Sequence, residues 1–318
     1  LGAVLIVVRM ALTGFFAGIG RTKVVMAANI TAMLINLPAN YLLIFGRAGL
    51  PALGIRGAAI GTLCGSFSAF LILFITYLRV SRSEEYRGDG QWRYRPAMMK
   101  RLLTFGVPAG LEMFLNVGAF NLFVNLMHTY GPDVAAAVTI AFNWDIVAFI
   151  PMLGLGVATT ALVARHIGAG DYEGAEQSAR LTLLLGYIYS GFMMILFLSG
   201  ARSLVAVFAS GFSDPSGEIS RLAIILVRLA SLYTLADSTQ LIFAGALRGA
   251  GDTRWIMRFS VTAHWILAFL AFLLIKIFHA SPVMVWCVFI MMVVIMGTSM
   301  FLRFRAGKWK NIRLIGDE

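Results

Sequence analysis

Charge is scarce in this chain. Only 13% of its 318 residues are Asp, Glu, Lys or Arg, against about 25% in soluble domains. Carboxylates are the rarer sign, 15 against 26 Lys and Arg, for a formal net charge of +11. The basic residues fall between apolar runs rather than along an aromatic-interleaved stripe, which excludes nucleic acid as the reason for the imbalance. Cysteine is nearly absent: Cys64 and Cys287 stand alone in apolar runs. Neither belongs to a CxxC or Cys/His cluster, so a metal finger and a dithiol redox pair are excluded, and core packing is their expected role. The sequence also lacks HExxH, GxSxG, a Walker loop and a GxGxxG ahead of a nucleotide-binding fold. With no site for ATP, energy for any work must come from an ion gradient. A charged n-region with a cleavage site is missing too, and no signal peptide is expected.

What the chain has instead is apolar sequence, 59% hydrophobic with a mean hydropathy of +0.84. A bilayer-crossing helix needs about 20 mostly apolar residues. Nine stretches meet that length, approximately 2–18, 24–46, 54–79, 102–127, 134–164, 181–201, 222–247, 255–277 and 283–303. Most connections are short and rich in Gly, Pro, Asp or Arg, among them the turn cluster from Gly46 to Gly54. One differs: Val80 to Arg101 carries Glu84, Glu85, Arg87, Asp89, Arg93 and Arg95, and reads as a solvated linker between two membrane halves. The basic residues test the threading, because cytoplasmic loops collect Lys and Arg. Arg47, Arg56, Arg202, Arg221 and Lys276 fall on one side, Arg9 and Arg228 fall inside spans, and all the others fall on the opposite side. This bias places the C-terminus in the cytoplasm and Leu1 outside.

A repeated motif organises the two halves. Gly245-Ala246-Leu247-Arg248-Gly249-Ala250-Gly251-Asp252-Thr253-Arg254 interrupts two apolar segments, and Gly18-Ile19-Gly20-Arg21-Thr22-Lys23 is its weaker copy. Gly18 meets Gly249, Gly20 meets Gly251, Thr22 meets Thr253, Lys23 meets Arg254 and Met26 meets Met257. Such echoes indicate a duplicated membrane architecture. Gly supplies the positive φ of a tight helix exit, and the basic residues anchor it among headgroups. The 245–254 run, with the in-span Asp237 before it, resembles the multidrug and toxic compound extrusion (MATE) family of cation-coupled exporters. Further residues carry the resemblance: Asn36 to Gly57 is similar to the family's fifth helix and following loop, Gly106-Val107-Pro108-Ala109-Gly110 to the start of the seventh, and Leu162 to Asp171 to the loop after the eighth.

The resemblance implies a twelve-helix fold in two six-helix lobes that rock to alternate access. The present nine spans would be helices four to twelve, in a chain lacking its first three. The expected fold is therefore an all-α polytopic membrane protein, a MATE-like two-lobe bundle. Residues 1–79 would be a partial N-lobe, 80–101 a cytoplasmic linker, 102–303 the C-lobe and 304–318 a basic cytoplasmic tail. The expected localisation is the cell membrane, as a monomer among membrane lipids. The implied activity is secondary-active efflux of small amphipathic or cationic compounds against Na⁺ or H⁺, with no other cofactor and no catalytic role.

Ionisable residues inside apolar spans are costly and mark candidate sites. Here they are Arg9, Glu112, Asp145, Arg228, Asp237 and His264. Asp237 matches the position of a carboxylate that family members use in the C-lobe cavity, so a Na⁺ site near it is the one metal expectation. Helical spacing puts Tyr233 and Gln240 on its face. The acidic residue usual in the family's seventh helix falls on Asn116, which cannot titrate. Glu112, one turn earlier, would either supply the displaced charge or sit idle near the interface. Asp145, beside Asn143, gives a polar midpoint to a long span, as apt for a cavity as for structure. Arg9 and His264 read as buried hydrogen-bonding or interface groups, and the methionines as lipid-facing or core filler, with a minority lining an adaptable pocket for bulky substrates. Two other readings compete. A lipid-linked sugar flippase of the same superfamily would present a more basic cavity, whereas this chain leans acidic. An intramembrane aspartyl protease would use Asp171 or Asp252 in their Gly-Ala-Gly-Asp runs, but no Tyr-Asp partner occurs.

Overall fold

The structure, a computed structural model, describes residues 2–49, 51–82, 94–209 and 217–312. Glu84, Glu85, Arg87, Asp89 and Arg93 of the linker, and Arg313 of the tail, lie outside the described residues. Those described form ten α-helices and no strand. Seven are long and apolar enough to cross a membrane, and a bent pair makes an eighth. The first helix, at 17 residues, is shorter than these. Side chains such as Phe114 and Ile188 are exposed on helix surfaces. Large apolar side chains facing outward around helices whose backbone bonds are internally satisfied are what lipid requires and water penalises. The protein is a multi-pass membrane protein.

The chain divides into two compact units, Leu1–Arg95 and Pro96–Glu318. In the first, α1 spans Gly2–Gly18, α2 Thr22–Phe45 and α3 Ile55–Val80. Gly57, Gly61 and Gly65 recur one turn apart on α3 and are buried. A Cβ on Gly57 would overlap the Leu43 carbonyl, and one on Gly65 the Ala32 carbonyl, so α2 and α3 pack at backbone contact. Small residues at four-residue spacing are the standard route to this closeness in membranes, where no hydrophobic force draws helices together. Phe16, Ala28, Ala69 and Leu73 fill the remaining core.

The second unit holds α4 (Pro96–His128), α5 (Pro132–Gly168), α6 (Tyr172–Ala209), α7 (Glu218–Ala230), α8 (Thr234–Gly249), α9 (Thr253–Phe272, prolonged by a π-helical turn over Leu273–Ile277) and α10 (Pro282–Arg305). Helix α4 thus begins inside the stretch read as linker. A 3₁₀ turn, Lys308–Asn311, follows. Trp309 there is buried, stacks on Phe304 at 5.0 Å and donates its indole N–H to the Phe304 carbonyl, while Lys310 reaches Glu176 at 2.6 Å. At the centre lies α8, where Ile242 to Leu247 are buried in succession. A helical stretch apolar all round belongs in the interior.

Two expectations change. The span expected at 222–247 is not one helix: α7 and α8 meet at a 50° bend. Ser231, Leu232 and Tyr233 each donate their backbone N–H three residues back, to Arg228, Leu229 and Ala230. A run of such bonds is a 3₁₀ tightening, a known cause of sharp bends. The cysteines, expected in the core, are both exposed.

Gly-rich turns end three helices in the same way. Ala169, Gly170 and Asp171 donate their N–H groups to Arg165, Ile167 and His166, and Ala250, Gly251 and Asp252 do so to Ala246, Arg248 and Leu247. Ile19, Gly20 and Arg21 repeat the pattern on Phe15, Ala17 and Phe16. This is the Schellman helix stop, which demands a left-handed residue. Gly20, Gly170 and Gly251 supply it at φ 74°, 74° and 79°.

Candidate substrate and ion site

The bend places the most unusual chemistry in the second unit. Tyr233 caps the start of α8, and Asp237 follows in its first turn, at the electropositive end of the helix. Both are buried, Asp237 at 8% exposure. The Tyr233 hydroxyl donates to Oδ1 of Asp145 on α5 at 2.6 Å. Asp145 lies within electrostatic reach of Asp237. Sequence spacing alone put Tyr233 on the face of Asp237; the fold turns its phenol to a second carboxylate instead. Among the described residues, neither Asp145 nor Asp237 takes part in an ion pair. Two acids without a cation, beside a phenol and an aromatic face, make an electronegative site. Gln240 is half-buried, one turn further along α8.

Hydroxyls pack behind this site. Ser190 of α6 and Ser238 of α8 share a 2.7 Å hydrogen bond, and Ser190 also donates to Sδ of Met152 on α5. Thr234 Oγ1 donates to the Ser231 carbonyl, satisfying a group that the broken helix would otherwise leave bare. These residues went unremarked at the sequence level. The signal was available: Ser231, Thr234 and Asp237 recur every third position inside an apolar run, and Ser/Thr-x-x-Asp marks a helix start.

Helix α8 is held there by glycine. Gly245 and Gly249 lie against Gly156 and Thr160 of α5, so close that a Cβ on either would strike a backbone carbonyl. Thr160 Oγ1 donates across the interface to the Gly245 carbonyl at 3.0 Å. The Gly245–Gly249 stretch thus does more than end a helix.

The other site residues gather elsewhere. Glu112 is buried on α4, at 4% exposure, and its carboxylate pairs with Arg248 of α8 at 2.8 Å. One turn on, Asn116 Nδ2 donates to Ser260 Oγ of α9 at 2.8 Å, leaving Asn116 Oδ1 buried without a partner. His264 Nδ1 meets the Ser260 carbonyl within α9 at 2.8 Å, the hydrogen-bonding role expected of it. Glu112 and Asn116 therefore bond to α8 and α9, whereas Asp145, Tyr233 and Asp237 associate at the bend. Arg228 is exposed at the end of α7, and Arg9 is half-buried on α1. The loop aspartates have partners of their own: Asp252 pairs with Arg303 at 2.8 Å, and Asp171 with His166 at 2.8 Å. Hydrogen bonds from the Gly174 N–H and from His166 hold the Asp171 carboxyl below the usual range. Asp171 thus holds its own turn and Asp252 ties its turn to α10, and among the described residues neither is paired with the second carboxylate that a protease dyad requires.

The MatE family profile matches residues 108–273, more than half of the chain. The chain belongs to this family. The matched region covers α5 to α8 whole, with Glu112, Asp145, Tyr233 and Asp237 inside it. Solved structures agree on the fold. A MOP superfamily transporter from Pyrococcus furiosus, for which a binding pocket of reversed polarity suggests a different function, superposes with a TM-score of 0.86 at 17% identity, over 98% of this chain and 68% of that one. An outward-facing multidrug resistance MATE transporter gives the same TM-score, identity and coverage. A MATE in a bent conformation gives 0.82 at 18%, over 97% of this chain and 67% of that one. At such identities the likeness establishes the fold alone. Family and fold together make this protein a MATE-type membrane transporter.

Proposed function

We propose that this MATE protein exports small cationic or amphipathic compounds in exchange for Na⁺ or H⁺, with Asp237, Asp145 and Tyr233 as the binding and coupling residues. One observation carries the reading: at a helix break Tyr233 donates to Asp145, which lies within electrostatic reach of Asp237, and neither carboxylate is in an ion pair among the described residues. A proton or Na⁺ on such a site cancels the charge that attracts an organic cation, and its loss restores that charge. Substrate and coupling ion then compete, which is what antiport requires. Broken helices that expose their termini near the bilayer midplane are where secondary transporters commonly build their sites. A sugar-phosphate flippase would need cations facing the site, and Arg248, the one cation on α8, is engaged by Glu112. The basic side of the loops supports a cytoplasmic C-terminus in the cell membrane. The chain is taken to act as a monomer.

The test is efflux of ethidium from vesicles under an imposed pH or Na⁺ gradient. Asp237→Asn should slow gradient-driven efflux about tenfold or more, equivalent to roughly 1.4 kcal/mol. Undiminished coupled efflux would remove Asp237 from the mechanism.

A further inference from the structure

Glu112 occupies the helix on which a coupling carboxylate would be sought, yet its surroundings differ from those of Asp145 and Asp237. Its side chain is 5% exposed and faces a guanidinium at 2.8 Å, whereas Asp145 accepts from the Tyr233 phenol and lies within electrostatic reach of Asp237. Arg248 stands in the last turn of α8, whose first turn holds Asp237, and these two are the helix's only charged residues. On its other sides α8 is fixed by backbone contact: Gly245 and Gly249 against α5, and Gly297 of α10 against the Ala236 carbonyl. Toward α4 the fixing is ionic. From one face of α4, Glu112 holds the end of α8 and Asn116 holds α9.

We propose that Glu112 is a positioning residue: its ion pair with Arg248 persists through transport and ties α4 to the end of α8, so that the helix bearing Asp237 moves with α4. Glu112 then neither binds the coupling ion nor exchanges a proton. The proposal rests on the transport reading above for its role, though not for the existence of the tie. Its physical basis is the asymmetry of buried ion pairs. Removing one partner strands the other charge, whereas replacing both with apolar groups of similar size is tolerated. A titrating carboxylate has no such remedy, because no apolar substitution can carry its proton.

The experiment compares Glu112→Met, Arg248→Met and the double variant, in detergent for thermal stability and in liposomes for ethidium transport. Arg248→Met, which strands the buried carboxylate, should lower Tm by roughly 5 °C or more. Glu112→Met should cost less, because Arg248 is half-exposed and can extend toward solvent. The double variant should recover at least half of the Arg248→Met loss. It should also transport within about threefold of wild type, with the same pH and Na⁺ dependence. Losses of Tm that simply add would refute the tie. A stable double variant that leaks ethidium downhill but no longer couples would place Glu112 in the coupling chemistry and overturn the proposal. If the wild-type protein moves no ethidium under either gradient, the transport reading fails on its own, and the stability cycle still decides the tie.

Discussion

The two units use one packing device for different chemistry. In the first, Gly57, Gly61 and Gly65 press α3 onto α2; in the second, Gly156, Gly245 and Gly249 press α8 onto α5. The polar groups beside these contacts differ. Asn40 Nδ2 donates to Asn36 Oδ1 at 3.2 Å, and Asn36 lies 3.5 Å from Thr62 Oγ1, a set of amides and a hydroxyl that cannot titrate. The second unit instead carries Asp145 on α5 and Asp237 on α8, the two helices joined by glycine contact, and a carboxylate inside a span is costly and functional by default. Glycine spacing is scaffold in both; the carboxylates belong to one.

The largest effect should come from the shared device. Gly57→Ala and Gly245→Ala each drive a methyl group into a backbone carbonyl, so the helices must part. Overpacking of this kind costs about 1–3 kcal/mol or more. Thermal unfolding in detergent should show comparable losses for both. A tolerant Gly57 beside an intolerant Gly245 would break the likeness between the units.

Next comes the chemistry that separates them. Asp145→Asn or Asp237→Asn should abolish the pH or Na⁺ dependence of transport, whereas Asn36→Ser and Asn40→Ser should alter its rate without shifting its pH dependence. A pH profile that moved with Asn36 would mean the first unit governs a titration its own residues cannot perform. Tyr233→Phe should have an intermediate effect. It deletes the hydroxyl held by Asp145, and hydrogen bonds to charged groups contribute about 1.5–3 kcal/mol. The expected readout is a change of about tenfold in apparent cation affinity, with a Tm loss of a few degrees.

How far the sequence foretold this varies with the physics. Apolar length located the helices, because the bilayer sets that length directly. The Gly-x-Gly turns were legible for a similar reason: a left-handed helix exit has few solutions besides glycine. The bend between α7 and α8 was not, because hydropathy counts apolar residues and is blind to a few i→i−3 bonds. Asp237 was found as a costly buried acid, but its neighbour is Asp145, from a helix remote in sequence. Spacing along one helix ranks Tyr233 beside Asp237 and cannot show where the phenol points. The Glu112–Arg248 pair was hidden likewise, since its members lie on helices far apart in the chain.

The smallest effect concerns the repeated turn. Its third position after the first glycine is Arg21 in the first unit and Asp171 or Asp252 in the second. Asp171 sits in an exposed turn with its carboxyl held below the usual range by the Gly174 N–H and by His166. A group whose folded pKa is depressed adds stability above its unfolded pKa, about 3.9, and loses it as pH falls through the folded value. The α5–α6 turn should therefore loosen below about pH 4, seen as faster amide exchange at Gly174, and Asp171→Asn should loosen it already at neutral pH while flattening the pH dependence. The α1–α2 turn has Arg21 in place of this carboxylate, so a transition of this origin should be confined to the α5–α6 turn. Equal acid loosening of both turns would mean that backbone geometry alone sets their stability, leaving the carboxylate of Asp171 with no part in it.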